Sequence, residues 1–347
     1  MKKILVVLTG GTIGSLVQGS NVDVTNVSAY RLISLYQEQY GREDEFEVIQ
    51  PFSVLSENMT PKTWGKLCNV MKNISYDEYK GIIITHGSDT LAYTAAFIGM
   101  LIGNVKVPVI LTAADYPLED ARSNGIANFR SAVGLIGTDI AGGVFVVYRN
   151  EKKEMAVYLA TRLTEAEPYT DQFRGFGGIA FGRMEAGRFI PCTDRINPTM
   201  KEMAQTGSIL KEREFSFDKK VLMIRPYPGL DYRFISLEEK PAAVLHYLYH
   251  SATACTVDEE HSLICFLERC RRKGIPVYTA SYKTTEGRFY VTAREIMEKG
   301  AIPLKNISPE AAYAKLMLLY NTEGMEEREI EQLARETLYF ECLPENK

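Results

Sequence analysis

Two patterns of apolar residues alternate along the chain. Short runs dense in Val, Ile and Leu occur at residues 4–8, 46–51, 81–85, 107–112 and 143–148. They stop abruptly at small polar residues, and continuous apolar runs of this length predict strands buried on both faces. Between them, residues 28–40, 60–74, 90–102 and 123–136 carry apolar positions at helical spacing. Thr60 followed by Pro61 supplies an N-cap with proline at the first helical position, and Thr90 is a natural N-cap for the helix after it. Strand–helix alternation of this kind predicts an α/β fold: a mainly parallel sheet with flanking helices. Periodicity fades over 184–219, where Gly, Pro, Thr, Lys and Glu mix. A second alternating set follows, with strands expected at 221–225, 254–257 and 275–279 and helices at 259–273, 309–319 and 325–337. The expected organisation is an N-terminal α/β domain at 1–190, a linker at 191–219 and a smaller C-terminal α/β domain at 220–347.

Composition narrows the class. Of 347 residues, 46% are hydrophobic and 24% charged, as in an ordinary globular protein with ample core. A net charge of −4 argues against a nucleic-acid face. No apolar run approaches the length of a membrane span, and residues 4–8 are too short for a secretion-signal core. The expected location is the cytoplasm. Cys68, Cys192, Cys255, Cys265, Cys270 and Cys342 are scattered, which suits reduced thiols. No His, Cys or carboxylate cluster has ligand spacing, so neither metal nor organic cofactor is expected.

The chemistry concentrates where the first and third strands end. The first run stops at Thr9-Gly10-Gly11-Thr12, the third at Thr85-His86-Gly87-Ser88-Asp89-Thr90. In an open parallel sheet, ligands bind in the crevice beyond the carboxyl ends of the strands. Two hydroxyl-rich turns facing one pocket would suit nucleophilic attack by a hydroxyl. Gly10-Gly11-x-x-Gly14 has neither the dinucleotide-binding nor the P-loop spacing. Plainer readings stand beside this one: a tight strand-to-helix turn, an Asp89 that only complements a helix dipole, and a His86 that belongs to the core rather than acting as a base.

The two segments resemble the paired motifs of the asparaginase/glutaminase family, T-G-G-T-I-[AG] and H-G-T-D-T. Ser56-Glu57-Asn58-Met59-Thr60-Pro61-x-x-Trp64 is similar to its S-x-D-M-T-P-x-x-W, and residues 107–112 to P-V-[IV]-x-T-G. Arg122-Ser123-Asn124-Gly125 with Asn128 is similar to R-S-D-G-x-x-N. Tyr227-Pro228-Gly229 and the stretch from Ser308-Pro309-Glu310 to Lys315-Leu316 continue the likeness in order through nearly the whole chain. It looks most like the cytoplasmic bacterial form. The resemblance implies a two-domain fold and hydrolysis of a small side-chain amide to acid and ammonia. It makes Thr12 the nucleophile, Ser88 and Asp89 part of a proton relay, and Gly11, Ser56, Glu57, Ser88, Asp89 and Ala113 the substrate-binding set. In the family the serine matched by Ser56 holds the substrate's α-carboxylate, and the aspartate matched by Asp89 its ammonium. The implied partners are a small amide or amino acid and a second copy of the chain, as homodimer or homotetramer.

Two family positions are not filled. The relay lysine belongs in a stretch like N-R-[ST]-[ST]-K, and the aligned residues are Thr161-Arg162-Leu163-Thr164-Glu165. The helper tyrosine should follow Thr12 by ten to thirteen residues; residues 22–25 hold none, and Tyr30 is the nearest candidate. Ala113-Ala114-Asp115 also replaces the usual Gly-Ser/Ala-Gln/Met. Exchanging lysine for Glu165 puts an anion where a cation is expected, and nearby carboxylates do not both ionise cheaply. Three readings remain open: Glu165 is a catalytic acid or base, the pocket suits a more cationic amide, or Arg162 or another cation satisfies Glu165 and amidase activity is weak or lost. The chain is accordingly read as an asparaginase-like amidohydrolase, with an amino-acid sensor as the alternative.

Overall fold

The computed structural model describes the chain except residues 1, 15, 19, 20, 24, 25, 42, 104, 153, 283–289, 346 and 347, and except the side chains of 14–30 and 281. Two units result, residues 1–213 and 214–347, with their boundary inside the 191–219 segment.

The first unit begins with β1 (Lys3–Leu8), a hairpin of β2 (Leu16–Gln18) and β3 (Asn21–Asp23), and α1 (Asn26–Tyr40). Then β4 (Phe46–Ile49), α2 (Pro61–Asn73), β5 (Tyr79–Thr85), α3 (Leu91–Ile102), β6 (Pro108–Thr112), α4 (Gly125–Ile136) and β7 (Gly143–Arg149) alternate. β8 (Met155–Leu159), β9 (Gly182–Glu185), β10 (Arg188–Pro191) and α5 (Met200–Gln205) complete the unit. Eight strands form one sheet in the order β10-β9-β8-β7-β6-β5-β1-β4. Neighbours from β4 to β7 are parallel. The antiparallel extension β8–β10 was not expected from the sequence. β9 and the edge strand β10 are half-exposed and carry no apolar run, so the pattern that reveals the central strands is missing from them.

The order of strands places the site. From β1 the chain steps outward to β4, then returns past β1 to β5 on its other side and continues in that direction. The reversal opens a crevice at the carboxyl ends of β1 and β5. Packing makes this frame rigid. In α3 the side chains are buried nearly all round, as its almost wholly apolar sequence requires. Trp64 of α2 stacks on Phe97 of α3 and donates its indole N–H to Thr94 at 3.1 Å. Tyr36 of α1 meets Phe129 of α4 edge-on. Thr199 and Glu202 form a capping box on α5, inside the segment expected as a linker. The six cysteines remain thiols, with none joined in a disulfide. Among the described residues, no helix is long and apolar enough to cross a membrane.

The second unit holds a wholly parallel sheet, β11 (Val221–Ile224), β12 (Ala243–Tyr247), β13 (Val277–Tyr282) and β14 (Ile302–Lys305), in that order. Its helices are α6 (Leu263–Arg272), α7 (Val291–Glu298), α8 (Pro309–Asn321) and α9 (Glu327–Arg335). The strand expected at 254–257 is not formed; β12 takes that place in the sheet. Its run is interrupted by His246, which the fold buries and pairs with the Tyr232 hydroxyl at 2.8 Å. β14 is hidden in the sequence by Pro303, which an edge strand tolerates.

One buried ion pair organises this unit. Lys315 of α8 and Glu341 have fully buried side chains, with Nζ and Oε1 2.8 Å apart. The lysine also donates to the Glu336 carbonyl, and Glu341 accepts from the backbone N–H groups of Leu338 and Tyr339 at 2.7 Å each. Lys315 and these N–H groups hold the carboxyl below its ordinary pKa against the opposing effect of burial. Removing one partner strands a buried charge. Lys315→Met is therefore expected to destabilise the protein by about 3–5 kcal/mol in urea unfolding, whereas an exposed pair such as Lys106–Asp77 is worth under about 1 kcal/mol.

Candidate active site

The turn after β1 is held against the turn after β5 by main chain. Thr9 donates both its N–H and its hydroxyl to the Thr85 carbonyl, at 3.3 and 2.7 Å. Gly11 has φ +74°, and a Cβ there would stand 2.3 Å from the Gly87 nitrogen. A Cβ on Gly87 would stand 2.5 Å from the Ser56 hydroxyl. A third segment closes the arrangement: Val54 N–H donates to Thr9 O, and Gly11 N–H to Val54 O, each at 3.0 Å. Segments 9–12, 54–56 and 85–90 thus interlock where only glycine fits.

Thr12 and Ser88, next along the chain from the touching glycines, are both half-buried in adjoining turns. Ser56 is buried and donates to Asp89 Oδ2 at 3.2 Å; Asp89 itself is exposed. Thr90 does not cap α3 with its side chain. Its hydroxyl donates to the Ser56 carbonyl at 2.9 Å, tying the second motif to the 54–56 segment instead. The structure therefore gathers Gly11, Thr12, Ser56, Ser88 and Asp89. Glu57 is exposed in the Ser56–Asn58 turn and bonds to none of the others. Ala113 is fully buried, with its carbonyl accepting from Asn128 Nδ2 at 2.9 Å.

Glu165 lies just past the short helical turn that ends β8. The Tyr93 hydroxyl donates to its Oε1 at 2.5 Å. Tyr93 stands one helical turn beyond Asp89, a spacing that could have revealed it in the sequence. Arg162, expected as a possible cation for Glu165, donates to the Ile196 carbonyl at 2.5 Å. The side chain of Tyr30, like residues 24 and 25, lies outside the described residues.

Two further carboxylates, Asp115 and Asp171, lie in loops beyond β6 and β8. Asp115 follows β6. Its Oδ1 accepts from the N–H groups of Tyr116 and Asn124, and the Asp115 N–H donates to Asn124 Oδ1 at 3.0 Å. Asp171 sits at φ +50° in the loop after Glu165. That loop is pinned to the β7–β8 turn: Asn150 and Tyr158 both donate to Phe173 O, and Phe173 N–H donates back to Asn150. Burial, then the charges of Asp115 and Asp89, push the Asp171 carboxyl above its ordinary pKa. No sequence signal marks Asp171, because a tertiary loop brings it here.

His86 proves to be a core residue. It is 1% exposed and donates from Nδ1 to Gly87 O at 2.8 Å, leaving Nε2 unpartnered. Burial pulls its pKa down to about 4, so near neutrality the ring is uncharged.

A match to the family described as Asparaginase, N-terminal, spans residues 3–189, more than half of the chain. The chain is similar to proteins named as a subunit of glutamyl-tRNA(Gln) amidotransferase. With that of Pyrococcus abyssi it shares 26% identity over 345 residues, 94% of this chain and 74% of the relative. With that of Thermoplasma acidophilum it shares 28% over 332 residues, 92% and 75%. Its fold is similar to that of the thermostable L-asparaginase from Thermococcus kodakarensis, with a TM-score of 0.79, 22% identity and 99% of both chains covered. L-asparaginase I from Vibrio cholerae gives 0.77, 24% and the same coverage.

The buried His86 ring has a consequence for stability. In the unfolded chain it gains a proton below pH about 6.5, whereas the folded protein resists this until pH about 4. The unfolded state thus binds more protons across that window, and stability falls as pH falls through it. In His86→Asn the slope of unfolding free energy against pH between 6 and 4.5 should be shallower by one proton, about 1.4 kcal/mol per pH unit. An unchanged slope would show that the ring titrates normally in the fold.

Proposed function

The chain belongs to the asparaginase family as an asparaginase-like amidohydrolase, and from that premise we propose that it hydrolyses a small primary amide to acid and ammonia with Thr12 as nucleophile. The observation that supports the reading is the Gly11–Gly87 contact, which brings the turns carrying Thr12 and Ser88 together at the carboxyl ends of β1 and β5. The family match supports amide chemistry; asparagine as the particular substrate is a finer step.

A threonine hydroxyl is a poor nucleophile until its proton is taken up. Thr12 Oγ attacks the amide carbonyl carbon as its proton passes toward Ser88 and Asp89. The resulting tetrahedral centre collapses, the C–N bond breaks, and the nitrogen leaves as ammonia carrying that proton. Water then attacks the threonine ester, restoring Thr12 and releasing the acid. Ser56, through its bond to Asp89 Oδ2, orients that carboxylate. Glu165, held by Tyr93 and aligned by sequence with the family's relay lysine, takes over proton exchange with solvent in this reading.

The names of the amidotransferase relatives favour a second arrangement, amide hydrolysis by one component of a larger assembly. Ammonia release by the isolated chain separates the two. On a panel of asparagine, glutamine and simple primary amides, Thr12→Ala should lower kcat by roughly three orders of magnitude or more, while Thr12→Ser keeps part of it. Circular dichroism should show both variants folded. Equal turnover by Thr12→Ala and the unaltered protein would remove Thr12 from the chemistry, and no turnover of any amide would favour the amino-acid sensor.

A further inference from the structure

From Gly81 through Ile102 the chain is buried at every position except Ser88, Asp89, Thr90 and Tyr93. The first three belong to the second hydroxyl turn. The fourth is the one residue of α3 that is not buried. An otherwise apolar helix thus opens at a single hydroxyl-bearing side chain, in its first turn. Two contacts tie that turn to the site: Leu91 N–H donates to Ser88 O at 3.3 Å, and the Thr90 hydroxyl to Ser56 O at 2.9 Å. Residues three apart share a helix face, so Tyr93 stands on the face that Thr90 begins.

From that face the phenol reaches the segment after β8, where its hydroxyl donates to Glu165 Oε1 at 2.5 Å. This segment is itself packed on α3. A Cβ on Gly99 would stand 2.6 Å from Thr161 Cγ2, so helix and segment are in close contact further along as well. The backbone beside Glu165 is fixed too, since Thr164 N–H donates to Arg174 O at 3.0 Å and Leu163 pairs with Gly175. What remains free is the glutamate side chain. A long, flexible side chain of this kind samples many rotamers unless a partner selects one. A donor on a rigid helix does that, and a hydrogen bond to a carboxylate is among the stronger ones. Tyr93 and Glu165 are both half-buried, so the bond is sheltered while the carboxylate keeps access to solvent.

We propose that Tyr93 is a positioning residue for the amide hydrolysis: its hydroxyl holds the Glu165 carboxylate against the first turn of α3, and Glu165 exchanges protons for the Ser88–Asp89 turn only while so held. This rests on the amidohydrolase reading of the same site and deepens it. Tyr93 acts through Glu165 and need not touch the substrate.

Two substitutions separate holding from proton exchange. Tyr93→Phe removes the hydroxyl and keeps the ring. Glu165→Gln keeps an oxygen that accepts from Tyr93 and removes the titratable group. On an amide of the panel that is turned over, Tyr93→Phe should lower kcat about tenfold or more and leave KM within about twofold. Glu165→Gln should lower kcat roughly a hundredfold, and the double variant should be no slower than Glu165→Gln alone. Hydrogen–deuterium exchange over residues 163–167 reads the hold without turnover: it should quicken in Tyr93→Phe and stay as it is in Glu165→Gln. Absence of ammonia from the unaltered protein overturns the amidohydrolase reading and this proposal together. Turnover with an unchanged kcat in Tyr93→Phe, effects that multiply in the double variant, or exchange that does not respond to Tyr93→Phe overturns this proposal alone.

Discussion

The close approach of Gly11 to Gly87 is the contact on which the site depends. Backbone meets backbone there, leaving no room for a side chain on either residue. The approach is possible because β1 and β5 are neighbours at the point where the strand order reverses. The hydroxyls at 12 and 88 follow from it, because each lies one residue beyond a touching glycine. Ser56 is drawn in by the same geometry, since it fills the space a Gly87 side chain would occupy. The site is therefore a property of main-chain packing, and the rigid, all-round-buried α3 behind it keeps the second turn in place.

Electrostatically, the site differs from what the family pattern leads one to expect. Glu165, aligned by sequence with the expected relay lysine, accepts from the Tyr93 hydroxyl, and Asp171 feels the charges of Asp115 and Asp89. A frame built from glycine contacts and strand ends tolerates such exchanges, because none of the altered side chains holds the turns together.

The parts legible in the sequence are those whose signal is local. The parallel strands β1, β4, β5, β6 and β7 announce themselves as apolar runs because both faces are covered, and the two hydroxyl turns stand at their ends. β9 and the edge strand β10 carry no such run, β12 hides behind a buried histidine, and β14 behind a proline. At the site, Tyr93 was readable as the residue one turn past Asp89. Asp171 was not, because its place is set by a loop fastened to Asn150 and Tyr158, contacts that no spacing encodes. His86 illustrates the opposite case: its motif invites a catalytic role, yet burial removes its charge and its access to solvent.

The central claim is that Thr12 carries the acyl group during turnover. Acid quenching of the working enzyme, followed by intact mass and peptide mapping, addresses it directly. The expected result is an adduct equal to the substrate less ammonia, located on the peptide that contains Thr12 and absent from Thr12→Ala. An adduct on Ser88, or steady turnover with no covalent species under conditions that preserve esters, would contradict it.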